Sequence, residues 1–325
     1  MDDVDRVAAE TRFSGVVRVD RDGEVAFARA YGLAHRGWEV PNQVGTRFGV
    51  ASGTKLLTAL AVLALVEDGA LDLGTTARSL LGDDLPLIPH DVTVGHLLTH
   101  RSGIGDYLDE DDEGYDVAAH VLAVPVHRLA TTEDYLAVID GFHVQFTAGT
   151  DFAYNNGGYV VLALLAERAS RAPFHDLVDE RVCGPAAMAD TAFLRMDELP
   201  GGVATGYLHA EGHRSNVLHL PVRGSGDGGA FTTAADVAAL WEALYAGRIV
   251  GPETVALMTT RHTDRYGMGL WLHPSSAVVS IEGGDAGVSF RSVHDPERRV
   301  THTVLSNTTE GAWAMTRLLD ELLAT

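Results

Sequence analysis

The stretch FGVASGTKLLTA, residues 48–59, contains the residues on which the expected fold and chemistry depend. It holds Lys55, the only lysine among the 24 lysine and arginine residues of the chain. Arginine stays protonated in proteins, whereas a desolvated lysine can lose its proton and act as a base. Ser52 stands three residues before Lys55, at the start of an apolar run that predicts a helix. Because residues three apart share a helix face, the Lys55 amine can lie beside the Ser52 hydroxyl and activate it.

The spacing between Ser52 and Lys55 is not decisive by itself. At average serine and lysine usage, a Ser-x-x-Lys pair occurs by chance roughly once per 250 residues. The predicted position of Ser52 at a helix N-terminus supports a functional interpretation. Unpaired backbone amides there favour a negative charge that develops on the nucleophile or on a nearby oxygen.

Length and composition indicate a globular protein with a large core. The chain has 325 residues, 46% hydrophobic and 21% charged, which fits one elaborate domain or two ordinary ones. A formal net charge of −21 argues against nucleic acid and anionic membranes as partners, because their phosphates would be repelled. The single Cys183 permits no internal disulfide, and no cysteine cluster predicts a zinc site. We expect no cofactor and no metal.

The first ten residues, MDDVDRVAAE, are acidic and lack the apolar stretch of a signal peptide. A cytoplasmic protein is therefore expected for the chain as it stands, with secretion as the alternative if a signal was removed. The apolar run at residues 59–66 is too short to span a bilayer. The sequence does not indicate an oligomeric state.

Strands are predicted near both chain ends and helices between them. Residues 13–20 and 24–31 are apolar-rich runs, and Arg21-Asp22-Gly23 between them predicts a hairpin. Further strand candidates are residues 267–272, 277–281, 288–294 and 300–305, and the longer helices are predicted from residue 52 to Gly69 and over residues 152–170, 234–245 and 310–323. Residues 71–187 show short helical patterns and few strand signals. The terminal strands are expected to share one antiparallel sheet flanked by helices, a mixed α/β (α+β) fold.

Candidate partners for the serine and lysine lie far along the chain. Tyr154 is a candidate proton relay if Lys55 stabilises its phenolate, and Asn156 can accept from Lys55 while donating to a substrate carbonyl. The alternative for this Tyr-x-Asn triplet is a helix cap. The run Glu282-Gly283-Gly284-Asp285 permits close backbone approach along a strand edge, although a tight turn is also compatible with it.

Two further groups of residues receive simpler interpretations. His90, His96 and His100 match no zinc spacing, so structural or surface roles are expected. The acidic segment at residues 109–113, followed by Asp116, is typical of a solvated surface loop.

Taken in order, these segments resemble the serine β-lactamase and penicillin-binding-protein-like family, nearest to its class C β-lactamase and esterase branch. The Ser-x-x-Lys signature is a feature of the related class A enzymes. The segments that carry the resemblance are FSGVVRVDRDGEVAFARAYG, FGVASGTKLLTALAVLALVEDGALDL, HLLTHRSGI, FAYNNGGY, GGAFTTAADVAAL and VSIEGGDAGVSF. Six segments in family order cover nearly the whole chain.

The resemblance implies one serine-hydrolase domain, residues 1–325, in which an all-helical subdomain at about 56–225 is inserted into an α/β part at about 1–55 and 226–325. It assigns Ser52 as the acyl-enzyme nucleophile and Lys55 with Tyr154 as its activating pair. It assigns Asn156 as a substrate binder and implies that the site lies between the two parts.

By the same resemblance, the backbone amides of Ser52 and Asp285 form the oxyanion hole, and Gly284 and Glu282 border the substrate. The family normally has lysine or histidine in place of Glu282, where a cation helps to bind a substrate carboxylate. The resemblance also implies that the acidic segment at residues 109–116 lies near the cleft entrance, so that this segment and Glu282 would face the same substrate. The alternative is that Glu282 pairs with a nearby arginine such as Arg291 and has no effect on substrates. A small ester, amide or lactam substrate is therefore expected, with an esterase favoured over an efficient β-lactamase. The alternatives are a D-amino-acid peptidase, a true β-lactamase, or a catalytically silent penicillin-binding or scaffold protein.

Overall fold

The framework of the protein is an antiparallel sheet, seen in a computed structural model that describes residues 2–108, 110 and 116–323. In chain order the strands are β1 (Gly15–Arg21), β2 (Glu24–Tyr31), β3 (Leu33–His35), β4 (Val40–Pro41), β5 (Phe48–Gly49), β6 (Phe231–Thr232), β7 (Trp271–Leu272), β8 (Val279–Asp285), β9 (Val288–Asp295) and β10 (Val300–Ser306). Six of them form the main sheet, in the order β2-β1-β10-β9-β8-β7. Strands from the two chain ends pair directly, with Val17 opposite Val304, which confirms the predicted shared sheet.

The first hairpin forms as predicted because its turn residues suit a two-residue loop. Asp22 and Gly23 both have positive φ angles, of 53° and 81°, between the paired residues Arg21 and Glu24. A two-residue hairpin turn of this kind requires positive φ at both central positions, which aspartate and glycine tolerate. The turn therefore fixes the register of β1 and β2.

Two strand predictions near the C-terminus have different bounds in the structure. The strand predicted at residues 267–272 is limited to Trp271–Leu272, and the one predicted at residues 277–281 runs from Val279 to Asp285. The glycines at 283 and 284 do not interrupt β8, because its backbone pairs with β9 through the whole stretch, from Val279 opposite His294 to Asp285 opposite Val288. The turn alternative for Glu282 to Asp285 is therefore wrong.

Helices cover both faces of the sheet. They are α1 (Asp2–Thr11), α2 (Thr54–Glu67), α3 (Ala77–Leu81), α4 (Val94–Leu98), α5 (Leu136–Ile139), α6 (Asn156–Ser170), α7 (Phe174–Val178), α8 (Gly184–Ala186), α9 (Ala234–Tyr245), α10 (Pro252–Met258) and α11 (Gly311–Leu323). Sequence analysis predicted no element for α1, whose Val4 and Ala8 pack with α11 against one face of the sheet. No helix within the described ranges is long and apolar enough to cross a membrane.

The larger core connects the sheet with the helical region. Helix α2 is buried from Thr54 to Leu65, and α6 is buried from Asn156 to Ala166. A helix that is apolar on all sides must lie inside the protein, and α2 packs against α6 in this core. The N-termini of both helices carry the predicted site residues, so the packing of α2 against α6 brings those residues together.

Candidate active site

Ser52 lies in a tight turn, Ala51–Gly53, that leads directly into α2. Ala51 has a φ angle of +43°, a left-handed conformation that costs energy for a residue other than glycine. Gly53 is also required here, because a Cβ atom at that position would lie 2.4 Å from the Phe290 ring. The chain is therefore held in an unfavourable turn at the serine, a feature that is common at functional sites.

Lys55 is 1% exposed and directs its amine toward Ser52. The Lys55 Nζ atom lies 2.9 Å from Ser52 Oγ, 2.7 Å from Asn156 Oδ1 and 2.8 Å from the Asp227 carbonyl oxygen. These three acceptors match the three N–H bonds of an ammonium group. The predicted contacts of Lys55 with Ser52 and Asn156 are thus present in the structure.

Tyr154 lies beside the amine, with its ring centroid 4.9 Å from Lys55 Nζ. Burial raises the pKa of the Tyr154 phenol well above its ordinary value, the Glu110 carboxylate raises it further, and a hydrogen bond with Ser52 lowers it. The expectation that Lys55 stabilises a Tyr154 phenolate during the reaction stays a prediction, and in the resting site the raised pKa favours the neutral phenol. Desolvation favours the neutral phenol, and a sequence does not reveal how deeply a side chain is buried.

His100 lies behind Tyr154, and its ring centroid is 4.4 Å from that of Tyr154. It is buried, as the predicted structural role requires, and its Nδ1 accepts a hydrogen bond from the Asn155 backbone N–H at 3.0 Å. Burial and then the nearby Lys55 amine lower the pKa of His100 well below its usual value. A neutral imidazole thus supports the tyrosine ring. In the described part of the chain, no group of three or more histidine, cysteine or acidic side chains is arranged to hold a metal.

Asn156 is the first residue of α6 and is held from two directions. The Asp106 carboxylate accepts hydrogen bonds from the backbone N–H groups of Asn156, at 2.6 Å, and Gly157, at 2.8 Å. The Asn156 side-chain amide donates to the Leu108 carbonyl oxygen at 3.1 Å and to Glu110 Oε1 at 2.9 Å. A substrate carbonyl would have to replace one of these two acceptors to bind Asn156 Nδ2.

Strand β8 passes close to Ser52, as the glycine-rich run predicted. A Cβ atom at Gly283 would lie 2.2 Å from the Val50 carbonyl oxygen and 2.7 Å from the Ser52 backbone nitrogen. Only glycine permits this approach of two backbones. The Asp285 side chain is half-buried near the end of the strand, and desolvation raises its pKa to about 7.

Glu282 is exposed on β8 and faces Arg291 across the sheet. Glu282 Oε2 lies 3.6 Å from Arg291 Nε, and Arg291 also donates to Asp320 at 2.8 Å. Sequence analysis assigned Glu282 to the border of the site, and the side chain does line a hollow that reaches Ser52. Glu282 and Asp320 both contact Arg291, so two carboxylates share one guanidinium group and the local net charge remains negative.

Two hollows meet at Ser52. The inner cavity is lined by Ser52, Asn156, Asn216, Asp227 and Asp285 among others. The outer cleft is lined by Ser52, Glu110, Tyr154, Trp271, Glu282, Gly283, Gly284 and Trp313. Glu110 and Gly284 border both, and together the two hollows contain Ser52, Tyr154 and all four of the predicted substrate-binding residues.

Sequence analysis missed several residues that shape the site. Asp106 and Asp227 were not identified. Glu110 was not singled out, but it belongs to the acidic segment expected near the cleft entrance, and it does line the outer cleft; residues 109 and 111–113 of that segment lie outside the described residues. Asp227 accepts a short hydrogen bond from the Tyr107 hydroxyl, and burial raises the pKa of its carboxyl group. The available signal was weak: Asp106 follows the HLLTHRSGI segment, and Asp227 interrupts a run of glycines.

Comparisons with known proteins identify the family of the chain. The family model described as Beta-lactamase matches residues 2–324. Esterase EstB of Burkholderia gladioli is 31% identical over 82% of this chain and 74% of its own length. A D-aminopeptidase of Brucella anthropi is 27% identical over 92% of this chain and 56% of its own length. The crystal structure of a penicillin binding protein from Bacillus halodurans covers 98% of this chain and 100% of its own, with 32% identity and a TM-score of 0.91. The chain therefore belongs to the β-lactamase family, which also includes esterases, D-aminopeptidases and penicillin-binding proteins.

Proposed function

We propose that the protein is a serine hydrolase that cleaves a small ester or amide through an acyl-enzyme on Ser52. The observation that carries the proposal is the 2.9 Å contact between Lys55 Nζ and Ser52 Oγ, made by a buried amine. A serine hydroxyl is a weak nucleophile until a base within hydrogen-bonding reach activates it. The catalytically silent alternative gives no reason for the chain to keep its only lysine at this position.

The proposed reaction uses Lys55 and Tyr154 as one proton-transfer unit. In the reactive form the Lys55 amine is neutral and accepts the Ser52 proton as Oγ bonds to the substrate carbonyl carbon. The backbone amides of Ser52 and Asp285 donate to the resulting oxyanion. As the carbonyl re-forms and the bond to the leaving group breaks, the proton passes through the neutral Tyr154 hydroxyl to the leaving group. Water then attacks the ester on Ser52 by the same proton route in reverse, which releases the acid.

A fluorophosphonate probe followed by mass spectrometry tests this function. We expect one covalent label on Ser52 in the folded protein and none after Ser52→Ala. The matched control is Ser275→Ala, which removes an exposed serine and should leave labelling unchanged. Absence of any label on folded wild-type protein would favour the silent scaffold.

The charge of the outer cleft supports a neutral or amine-bearing substrate over an anionic one. Glu110 and Glu282 both line the cleft, and Arg291 beside Glu282 is shared with Asp320. A carboxylate-bearing β-lactam would approach these acids with a like charge, which lowers affinity. An esterase or amidase is therefore proposed rather than an efficient β-lactamase, and the D-amino-acid peptidase remains within this class.

Steady-state kinetics on nitrocefin, a neutral nitrophenyl ester and an aminoacyl amide test the preference. We expect Glu282→His to increase kcat/KM for nitrocefin relative to the neutral ester by about fivefold or more, since a single exposed like-charge contact costs roughly 1 kcal/mol. Glu253→Gln removes an exposed carboxylate elsewhere and controls for net charge. The preference is wrong if wild type cleaves nitrocefin as efficiently as the ester and the histidine variant gains nothing, although the Ser52 mechanism would stand.

A further inference from the structure

The proposed reaction requires the Tyr154 hydroxyl to keep its direction after Ser52 has reacted. Tyr154 lies outside any helix or strand, two residues before α6, and the hydrogen bond of its phenol is with Ser52. When Ser52 Oγ bonds to the substrate carbonyl carbon, the serine has lost its proton and can no longer donate. The direction of the Tyr154 ring must therefore be fixed by contacts that the reaction does not change.

Trp271, the first residue of β7, supplies such a contact. The ring centroids of Tyr154 and Trp271 lie 6.0 Å apart, and the two ring planes differ by only 9°. Offset stacking is a favoured arrangement of aromatic rings at this separation. Trp271 lines the outer cleft, whereas His100, which is 1% exposed, contacts the Tyr154 ring from inside the protein. The phenol ring is thus held by contacts with both side chains.

A third ring, that of Tyr266, limits movement within this stack. Its plane is inclined by 86° to the Tyr154 ring, at a centroid distance of 6.4 Å, and by 85° to the Trp271 ring, at 4.8 Å. Tyr266 is 2% exposed, and its hydroxyl oxygen lies 3.4 Å from that of Tyr159. A fixed ring that is perpendicular to two stacked rings limits how far either can slide. Tyr266 and Trp271 together therefore form an aromatic corner against which Tyr154 lies.

One tight turn carries both residues of the aromatic corner and rests on helix α2. Tyr266 and Trp271 form an antiparallel bridge across this turn. Gly269, within the turn, has a φ angle of +82°, and a Cβ atom there would lie 2.5 Å from the Ala59 Cβ atom and 3.2 Å from the Lys55 carbonyl oxygen. Only glycine permits this approach. The aromatic corner is therefore fixed relative to the part of α2 that carries the Lys55 amine.

We propose that Trp271 is a positioning residue for Tyr154, whose hydroxyl it holds at the angle from which the leaving group is protonated. The proposal rests on the proposed hydrolase function and adds a residue that acts through Tyr154. The Ser52 proton passes through Lys55 and the Tyr154 hydroxyl to the leaving oxygen as the bond from that oxygen to the carbonyl carbon breaks. Trp271 itself exchanges no proton.

The basicity of the leaving group distinguishes this role from general support of the fold. A weakly basic 4-nitrophenolate departs without a proton, whereas an alkoxide must be protonated as its bond breaks. Loss of the Tyr154 orientation should therefore slow cleavage of an ethyl ester and leave cleavage of a nitrophenyl ester almost unchanged. A loosened fold would slow both alike, and a lost contact with the leaving group would slow the larger nitrophenyl ester more.

Three butanoate esters, with 4-nitrophenol, phenol and ethanol as leaving groups, test the proposal. The measured quantity is kcat/KM for each ester, from chromatography of the butanoate released and after subtraction of spontaneous hydrolysis. Trp271→Ala should lower kcat/KM for the ethyl ester roughly 10- to 100-fold, with an intermediate loss for the phenyl ester and a change of less than about threefold for the nitrophenyl ester. Trp271→Phe, which retains a ring, should recover most of the activity on the ethyl ester.

Further variants keep the test decisive if Trp271→Ala folds poorly. Trp271→Leu retains apolar volume without a ring plane and should show the same selective loss, as should Tyr154→Phe. Trp313→Ala removes another tryptophan of the outer cleft, one that makes no ring contact with Tyr154 in the part of the chain that the structure describes. Its losses should not follow the basicity of the leaving group. Trp38→Ala, at a position that is 80% exposed, should change none of the three rates.

The outcomes separate the positioning role from the hydrolase function. Equal losses for all three esters in the Trp271 variants, or no loss in any, overturn the positioning role, and so does a selective loss that is confined to Tyr154→Phe. In each case, labelling of Ser52 and turnover by the wild type would leave the hydrolase function intact. Absence of both labelling and turnover in the wild type would overturn the hydrolase function, and the positioning role with it.

Discussion

The role proposed for Lys55 depends on its ability to give up a proton, which distinguishes it from the arginines of this chain. Its amine contacts Ser52 Oγ, Asn156 Oδ1 and the Asp227 carbonyl, so an arginine at the same position could retain the charge. Arginine does not act as a base near neutral pH. We expect Lys55→Arg to slow acylation of Ser52 by at least the roughly 10²–10⁴-fold that proton transfer usually contributes. The measurement is the rate of probe labelling or of the first turnover.

The control for this substitution must separate chemistry from folding. Arg248→Lys makes the reverse exchange at an exposed position and should leave both rate and stability unchanged. Thermal unfolding of Lys55→Arg should remain cooperative, because the buried positive charge and its acceptors are retained. Near wild-type turnover in a folded Lys55→Arg protein would show that Lys55 is not the base.

Individual site residues were predictable where the signal is local in the sequence. Ser52 and Lys55 are three residues apart in the sequence, and this spacing is itself a recognisable motif. Asp106 and Asp227 lie 50 or more residues along the chain from the site residues that they contact. No sequence pattern shows that they are close to these residues in space. The protonation state of the Tyr154 phenol could not be predicted from the sequence, because it depends on how deeply the side chain is buried.

At the level of elements, the start of α6 connects the fold to the chemistry. The Asp106 carboxylate holds the first two backbone amides of this helix, and Asn156, at its first position, contacts Lys55. An acid at a helix N-terminus is favourable for the helix dipole. Burial nevertheless raises the pKa of Asp106 to about 6, which means that its ionised form carries a desolvation cost.

This raised pKa predicts how the cost of Asp106→Asn varies with pH. The folded pKa lies above the ordinary aspartate value of 3.8, so between the two values the folded state holds a proton that the unfolded state releases. Stability due to Asp106 is therefore present below about pH 4 and is lost as the pH rises to about 6. We expect Asp106→Asn to cost about 1 kcal/mol more at pH 5 than at pH 7.5, since one pKa unit corresponds to about 1.4 kcal/mol.

Urea unfolding of both proteins at the two pH values measures this difference, and the buried histidines cancel because they are common to both. Asp83→Asn, an exposed acid, should cost close to nothing at either pH. A constant cost of Asp106→Asn would mean that folding does not raise the pKa of Asp106, and a cost that grows with pH would mean that folding favours the ionised carboxylate.

The first hairpin and the longer apolar helices were predicted well, whereas helix α1 was missed and strand β8 was predicted too short. The hairpin of β1 and β2, the helices α2, α6 and α9, and the last helix α11 lie within a few residues of their predicted positions. Strand β8 extends four residues beyond the predicted end at Ile281, because its glycines contribute backbone pairs to β9 and no side-chain pattern. Helix α1 buries only Val4 and Ala8 among its mostly polar residues, and these two pack with α11 against the sheet.

At the level of the whole molecule, the helical region and the sheet share one core. A single cluster of buried side chains includes Leu162 in α6, Trp241 in α9 and Leu305 in β10. The sheet itself needs both chain ends, since β1 pairs with β10. We therefore propose that the chain folds as one unit, although its helical part and its α/β part are separate in sequence.

One folding unit predicts a single cooperative unfolding transition. Far-UV circular dichroism, tryptophan fluorescence and hydrogen exchange should give coincident midpoints. Leu162→Ala, in the helical part, and Leu305→Ala, in the sheet, remove fully buried side chains and should each cost about 2–5 kcal/mol. Each should shift all three signals together, whereas Leu218→Ala, at a largely exposed position, should shift none. If Leu162→Ala separates an early helical transition from a later sheet transition, the two parts are independent units, and the site between them would be lost before the sheet unfolds.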